Sequence, residues 1–449
     1  MRRLSAYGLA LVSVLFLWTA PAKAIDIQEV VSPGGIAAWL VEDETADLVS
    51  MDFLFRGGES LDPAGKEGLA ELVSSVLDEG AGDLDSQAFQ RILNDKSINI
   101  SFGAGRDSFS GSFMTLNRYR DEAVRLLKLA LTAPRFDEDA VERIRGQILI
   151  NLKRRETSPN AKAGKALVKA LYGDDPYGRP GGGTIDGVQA VTISDMRNFV
   201  TKTLTRDRLV VGVVGKITAE ELRPMLDEVF GGLPEKGDVP VLPPVAASSE
   251  GGVIVIEQDV PQSVVAMAQP VEIDRHDPDY YAAYLVTHIL GGGGFSSRLT
   301  EEVREKRGLA YSTYASLHDT KRSSLLMAGV STRNDAVAES VEIIQREWAK
   351  IRDEGVTAEE LENAKTYLTG SYPLRFTTTG QIAGALTGIQ YYDLGIDYID
   401  KRNGYLEAVT LDQANRVAKE LFDPAALTIV VVGKPANLAA TRPAPDIGG

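Results

Sequence analysis

The sequence predicts an α+β fold built from two homologous, duplicated domains, each a mainly antiparallel sheet with helices on one face. Three observations carry this prediction: strand patterns precede helix patterns within each half, two similar passages recur at a fixed offset, and a proline-rich segment separates them. Runs of strands followed by runs of helices are typical of α+β folds. Helices on one face leave the other sheet faces directed at a shared space, so we expect the copies to enclose a central chamber.

The first 24 residues have the pattern of a secretory signal peptide. Arg2 and Arg3 precede an apolar stretch over 9–18, and a small-x-small site ends at Ala24. The apolar stretch is shorter than the roughly 20 residues that a membrane span needs. We therefore expect export to the periplasm, with no stable membrane anchor after cleavage.

The duplication is visible as two passages 218 positions apart. Residues 190–192 open a helical pattern that leads into a strand pattern at 209–216, and residues 408–410 lead in the same way into 427–434. This offset is much longer than the period of solenoid repeats, so it indicates a second copy of a whole domain.

Prolines mark the boundary between the copies. Four of them fall within residues 234–244, which excludes a helix interior or a central strand there. The predicted organisation is a signal peptide at 1–24, an N-terminal domain at 25–232, a linker at 233–252 and a C-terminal domain at 253–449.

Composition argues against several classes of function. The 449 residues include 48 Lys and Arg against 63 Asp and Glu, a balance opposite to the basic face that nucleic-acid binding needs. The chain has no cysteine, which excludes disulfides, thiolate metal sites and cysteine nucleophiles. Its histidines, His276, His288 and His318, lack the spacing of paired zinc ligands on one helix.

Residues 69–79 have the pattern of an amphipathic helix, and Gly80 provides a natural stop. The apolar positions are Leu69, Leu72, Val73, Val76 and Leu77. The opposite face carries Glu71, Ser74, Ser75 and Asp78. The simplest interpretation of that polar face is a solvated helix surface.

This helix, together with the Gly68-Leu69-Ala70 start before it, resembles the pitrilysin/insulysin/mitochondrial-processing-peptidase family of zinc peptidases. In active members His-x-x-Glu-His follows Gly-Leu-Ala, the two histidines bind zinc and the glutamate is the general base. The matching positions here are Glu71, Ser74 and Ser75. The third zinc ligand of the family, a glutamate on a later helix, falls at or beside Asn151. Residues 175–180 resemble a further stretch of the family, and the resemblance spans nearly the whole mature chain.

The chain departs from the family at the metal ligands. Zinc sites are built from imidazoles, thiolates and carboxylates, and of the matching positions only Glu71 offers such a group. Ser74 cannot act as the base for a zinc-bound water. We therefore expect that this chain binds no metal and that it is inactive as a peptidase when alone.

A glycine run precedes the corresponding helix of the second half. Residues 291–294 are all glycine, Ser296 or Ser297 is a good N-cap, and Gly308 is a natural helix end. Glycines before a helix can cradle a phosphate, but no Lys-Ser/Thr follows and the G-x-G-x-x-G spacing is absent. Nucleotide binding is not expected.

Residues 303–311 closely resemble the second half of the same family, where a tyrosine typically follows an arginine seven residues later. In that family the arginine and the tyrosine reach across the chamber to the zinc site, hold the substrate backbone and stabilise the oxyanion. Arg304 and Tyr311 match them, and both side chains are donors suited to developing negative charge. The alternative is structural: Arg304 is a surface helix residue and Tyr311 packs against its strand.

Some members of this family work as pairs, one subunit bringing zinc and the other the arginine and tyrosine. The resemblance therefore predicts the non-zinc-binding subunit of a periplasmic heterodimeric metallopeptidase, acting with a zinc-bearing partner on peptides or unfolded proteins. The alternative is a non-catalytic peptide-binding or scaffold protein on the same fold. A stand-alone Ser/His/Asp peptidase has little support, because no G-x-S-x-G elbow is present.

Overall fold

The computed structural model describes residues 25–448, so the predicted signal peptide lies outside the described residues. The strands of the first half are β1 (Gln28–Val31), β2 (Ala37–Glu42), β3 (Leu48–Arg56), β4 (Asn99–Ala104), β5 (Ser108–Leu116) and β6 (Leu209–Gly215). Those of the second half are β7 (Gly252–Glu257), β8 (Gln262–Val271), β9 (Ala310–Asp319), β10 (Ser324–Arg333) and β11 (Thr428–Gly433).

The two sheets have the same topology. The first has the order β1-β2-β6-β3-β5-β4 and the second the order β7-β11-β8-β10-β9, so each strand after β1 has a counterpart in the second half. Pairing is antiparallel except between β2 and β6 and between β7 and β11, which are parallel. The predicted duplication and its mainly antiparallel sheets are confirmed.

Helices follow the strands in each half. The first half contains α1 (Leu69–Ser74), α2 (Ser86–Lys96), α3 (Arg120–Thr132), α4 (Glu138–Thr157), α5 (Pro159–Tyr172), α6 (Ile185–Ala190), α7 (Ile193–Thr203) and α8 (Ala219–Phe230). The second contains α9 (Tyr280–Thr287), α10 (Val337–Glu354), α11 (Ala358–Gly370), α12 (Thr379–Tyr391), α13 (Tyr398–Ala408) and α14 (Leu411–Leu421). No helix in residues 25–448 is both long and apolar enough to cross a bilayer.

Each half has its own apolar core between its sheet and its helices. In the first half Phe53, on the central strand β3, packs edge-on against Phe230 at the end of α8. In the second half Trp348 of α10 packs against Phe422 and donates a hydrogen bond of 2.8 Å to Gln269 on β8. The indole N–H is thereby satisfied inside the core.

The halves exchange one helix each across the face that their own helices leave open. Helix α5 of the first half lies on β8 and β11, where Leu167 packs with Val430. Helix α12 of the second half lies on β3 and β6, where Leu386 packs with Val214. The approach of α12 is close, because a Cβ added at Gly212 would lie 2.6 Å from the carbonyl oxygen of Ala383. Each of these sheet faces is therefore covered by a helix of the other half.

The segment between the halves is extended but attached to both. It has no regular secondary structure from 233 to 251, and β7 begins at Gly252. The carbonyl of Val239 accepts a hydrogen bond from Arg208 of the first half, and the amide of Val245 donates to the carbonyl of Arg322 of the second. The linker therefore holds the halves together along its length.

Candidate functional site

The helix that matches the zinc-motif region is shorter than its apolar spacing predicts. Helix α1 ends at Ser74, and the next residues are held by i→i−3 bonds, from the amide of Val76 to Val73 and from Glu79 to Val76. The Ser74 hydroxyl donates to the carbonyl of Glu71 at 2.9 Å, a local bond that competes with regular helix. The prediction of one helix over 69–79 was wrong in its second half, because tight turns bury the same apolar residues as a helix would.

A buried carboxylate fixes the start of α1. Asp62 is 5% exposed and accepts hydrogen bonds from the amides of Gly68, at 2.8 Å, and Ala70, at 3.0 Å. Burial raises the pKa of Asp62 to about 7, although the amide bonds oppose that rise. Gly68 itself has φ +108°, and a Cβ there would lie 2.5 Å from Val188. The Gly-Leu-Ala start is therefore held in one position.

The polar side of this segment is not solvated, so that interpretation was wrong. Ser74 is buried, and Glu71, Ser75 and Asp78 are half-buried. Burial raises the pKa of the Glu71 carboxyl, Glu59 raises it further and Arg155 lowers it. These polar groups therefore face an enclosed, partly charged environment.

An arginine lies close to the degenerate zinc-motif position. Arg155 is on α4, one turn after the exposed Asn151. Its positive charge lowers the pKa of the Glu71 carboxyl, and its guanidinium donates a hydrogen bond of 2.8 Å to the carbonyl of Gly181. The next amide, of Gly182, donates to Glu59 at 2.7 Å. Within residues 25–448 no group of three or more His, Cys, Asp or Glu side chains is arranged to hold a metal ion. The donor set does not fit zinc, and the positive charge of Arg155 lowers the pKa of the one carboxyl among the matching positions, Glu71.

Local capping positions the second candidate group. The Ser297 hydroxyl accepts from the amide of Thr300 at 3.4 Å, ahead of a π-helical turn over Thr300–Glu305. At its end the amides of Gly308 and Leu309 donate to the carbonyls of Arg304 and Val303, with Gly308 at φ +60°. The bond from Gly308, in the left-handed conformation, to Arg304 is that of an αL ending, and it turns the chain directly into β9.

Arg304 and Tyr311 meet in the structure. The guanidinium carbon of Arg304 lies 4.8 Å from the centroid of the Tyr311 ring, within cation–π distance. Arg304 also forms an ion pair of 3.3 Å with Glu305. Tyr311, the second residue of β9, is 83% exposed. The alternative that Tyr311 is a strand-packing aromatic is therefore not what the structure shows.

The glycine run has a packing role. A Cβ added at Gly291 would lie 2.2 Å from the amide nitrogen of Ala315, so only glycine lets the backbone pass this close to β9.

The three histidines lie in separate surroundings. His276 contacts the carbonyl of Tyr392 at 2.9 Å, and His288 stacks on the ring of Tyr367 while burial lowers its pKa. His318 is exposed on β9.

A stretch that the sequence placed within the family resemblance forms a joint between the halves. The Tyr177 hydroxyl bonds to Asp107 of its own half and to Thr320 of the other. Beside it, Arg322 of the second half holds the Asp175 carboxylate at 2.9 and 3.0 Å. Residues 175–180 are therefore anchored across the interface.

A cavity of about 1130 Å³ opens between the halves, and sequence reasoning missed it. It is bounded by α4, α5, the loop over 173–187 and residues 445–448; we call it the inter-half cavity. Its cationic lining consists of Arg155, Lys162, Lys165, Lys169 and Arg179. Lys162, Lys165 and Lys169 recur at helical spacing on α5, a signal that was available in the sequence.

Comparison with known proteins gives matches to one family of peptidases. The family model described as peptidase M16 inactive domain matches residues 190–368. The crystal structure of a peptidase M16 inactive domain from Pseudomonas fluorescens superimposes with a TM-score of 0.86 at 26% identity, covering 94% of this chain and all of that one. The chain is similar to inactive members of the peptidase M16 family. The resemblance to the pitrilysin/insulysin group is thereby confirmed.

Two curated relatives match a longer part of the chain than the family model does. The non-peptidase homolog YmxG of Helicobacter pylori is 27% identical over 392 residues, covering 87% of this chain and 90% of the relative. An uncharacterized zinc protease of Mycobacterium leprae is 28% identical over 288 residues, 64% of each chain. With the missing zinc ligands, these similarities support a non-catalytic M16-like chain.

Proposed function

We propose that this M16 chain is the non-zinc-binding subunit of a periplasmic heterodimeric metallopeptidase. The partner is an M16 chain with an intact His-x-x-Glu-His motif, and it carries the zinc. This chain contributes Arg304 and Tyr311, which hold the substrate backbone and stabilise the oxyanion at the partner's zinc site. The substrates are peptides or unfolded proteins, and the signal pattern of residues 1–24 supports export.

The observation that carries the proposal is the exposure of Tyr311 beside Arg304. The ring lies against the guanidinium at 4.8 Å, yet 83% of the side chain remains accessible. The stacking orients the ring, so the phenol is available as a hydrogen-bond donor to an outside group. Two donors aimed at one developing negative charge are the arrangement that acyl-transfer sites use.

The degenerate half explains why a partner is required. Glu71 is a single carboxylate facing Arg155, and neither Ser74 nor Ser75 can bind zinc or take a proton from a metal-bound water. The chain therefore supplies no zinc-activated water of its own at these positions.

The inter-half cavity favours a second candidate, a peptide-binding or scaffold protein on the same fold. Its volume of about 1130 Å³ slightly exceeds the roughly 300–1,000 Å³ of typical ligand pockets. Peptide binding there requires no zinc and no partner.

Reconstitution separates the two functions. The mature chain is purified alone, mixed with the zinc-bearing M16 protein of the same organism, and assayed on a fluorescein-labelled unfolded protein. We expect co-elution on size exclusion, and cleavage by the mixture that exceeds the sum of the separate chains. No complex, or a complex no more active than the partner alone, would contradict the heterodimer and favour the binding protein.

A further inference from the structure

The segment after β11 returns along the edge of the second sheet. The amides of Thr441 and Arg442 both donate to the carbonyl of Val253 on β7, at 2.9 and 3.0 Å. The Thr441 hydroxyl accepts from the amide of Val253 at 2.8 Å, and Arg442 donates to the carbonyl of Gly251. The segment thus covers β7 much as β1 covers β2 in the first half.

Residues 443–448 then enter the inter-half cavity as an extended peptide. Ile447 packs against the apolar cluster that α5 forms with the second sheet. The carbonyl of Gly448 accepts a hydrogen bond of 3.3 Å from Lys165, and the amide of Gly448 donates to Asp446 at 2.9 Å. A piece of this chain therefore occupies part of the cavity.

The cavity offers two kinds of contact to a peptide. The lysines at 162, 165 and 169 lie in one row along α5, where Lys169 is paired with Asp174 at 2.6 Å. Burial lowers the pKa of Lys165, while Glu156 and Asp446 raise it. Apolar side chains line the same space; they are Leu152, Ile185 and Ile256. In this segment Lys165 donates to a backbone carbonyl, the charge of Asp446 raises the pKa of Lys165, and Ile447 packs with the apolar side chains. An acidic residue followed by an aliphatic one therefore suits this part of the cavity.

We propose that the inter-half cavity binds extended peptides in which an acidic residue precedes a branched aliphatic one, and that residues 443–448 are its intramolecular competitor. The inference rests on the proposed function in one respect: both require that peptides bind between the halves. It adds the class of peptide and a regulating segment.

The contacts of this segment are those of an exchangeable occupant. Asp446 and Gly448 are exposed and Ile447 is only half-buried, whereas residues 441–442 are tied firmly to β7. The space of about 1130 Å³ is open with the segment in place. A tethered competitor has an effective concentration of about 1 mM. If its intrinsic Kd for the cavity is about 0.1 mM, it lowers the apparent affinity of the cavity for an outside peptide about tenfold.

The test uses the mature chain alone and a chain that ends at Arg442, which keeps the β7 contacts. The probe is a fluorescein-labelled, amidated peptide of residues 443–448, followed by fluorescence polarisation. We expect the shortened chain to bind about tenfold more tightly than the full chain. A peptide with D446K and I447D should bind neither. Lys165→Glu in the shortened chain should abolish binding, whereas Lys419→Glu, on the distant helix α14, should not.

Equal affinity of the two chains for the probe would overturn the competitor, and absence of binding to the shortened chain would overturn the site. Thermal unfolding of every variant verifies that the fold is intact. Because no partner or zinc is present, this result is independent of reconstitution: peptide binding can succeed where pairing fails, and the reverse.

Discussion

The guanidinium of Arg304 lies over the ring of Tyr311, with 4.8 Å between the guanidinium carbon and the ring centroid, while most of the tyrosine side chain remains in solvent. The two residues are seven positions apart and are brought together by the left-handed turn at Gly308. Their contact lies within one half and does not depend on a partner. Each group can therefore be changed singly without loss of the fold.

Arg304→Ala and Tyr311→Phe should each lower turnover by the reconstituted pair about 10²–10³-fold, the usual effect of removing one oxyanion donor. Tyr311→Phe retains the stacked ring, so its effect isolates the hydroxyl. Arg304→Lys should rescue only partly, since an ammonium lacks the planar fork. The measurement is kcat on an unfolded protein, with assembly checked by size exclusion.

Arg307→Ala and Tyr314→Phe are the matched controls for these variants. Arg307 follows the same turn and pairs with Glu302, and Tyr314 lies on the same strand as Tyr311. Both should cleave at the wild-type rate. If Arg304→Ala and Tyr311→Phe also cleaved at the wild-type rate, Arg304 and Tyr311 would have a structural role only.

The mature chain should hold less than about 0.1 zinc per molecule after dialysis, because Glu71 is a single ligand beside Arg155. Elemental analysis by mass spectrometry measures this, with the zinc-bearing partner as the positive control. A value near one zinc per chain would show that residues outside the motif form a site.

Stability should fall as the pH rises toward neutrality. The Asp62 carboxyl has its pKa raised from 3.8 to about 7. A raised folded pKa gives a contribution that is fully present below the unfolded value and lost as pH rises through about 7. Burial raises the pKa of Asp52, Glu71 and Asp78 in the same sense. Thermal unfolding from pH 5 to pH 8 should show the decline.

Asp62→Asn tests the contribution of this one group. The variant should be less stable at pH 5, because the amide cannot accept both backbone bonds, and its stability should change less between pH 5 and 8. Asp259→Asn, at a side chain that is 92% exposed, should leave the pH dependence as in the wild type. An unchanged slope in Asp62→Asn would assign the pH effect to other groups.

Gly212→Ala should destabilise the protein by about 1–3 kcal/mol, as overpacking of a close contact does. The new Cβ would lie 2.6 Å from the Ala383 carbonyl of α12, so the helix must move off the sheet. Gly388→Ala, on the same helix with no atom within 4 Å of its Cβ, should be neutral or stabilising. Chemical denaturation compares them, and equal stability of Gly212→Ala and wild type would argue against the close packing.

The duplication and the linker were predictable because a repeated sequence pattern marks the first and clustered prolines mark the second. The constant offset between residues 190–192 and 408–410 indicates the duplication, and the prolines within 234–244 indicate the linker. The end of α1 at Ser74 was not predictable, since Val76 and Leu77 are buried equally by a helix and by turns. The spacing of apolar residues predicts which side chains are buried, but it does not determine the backbone conformation between them.

Parts of the site depend on contacts far apart in sequence. The spacing of Arg304 and Tyr311 is local, so the motif indicated that they meet. The proximity of Arg155 to Glu71 and of Lys165 to Gly448 is set by tertiary packing across 84 and 283 positions. Likewise Gly212 aligns with Val430 of the repeat, but only the position of α12 shows why one copy needs glycine.

Because α5 packs on the sheet of the second half and α12 on the sheet of the first, each half needs a helix of the other to cover one face of its sheet. A hinge that opened the molecule like a shell would strip Leu167 from the second sheet and Leu386 from the first, exposing two apolar surfaces to water at once. Such an opening carries a large energetic cost, so the two sheets are expected to move as one rigid unit and to unfold in a single transition. Any peptide that reaches the interior must then thread in through an existing gap, which limits access to unfolded, extended chains.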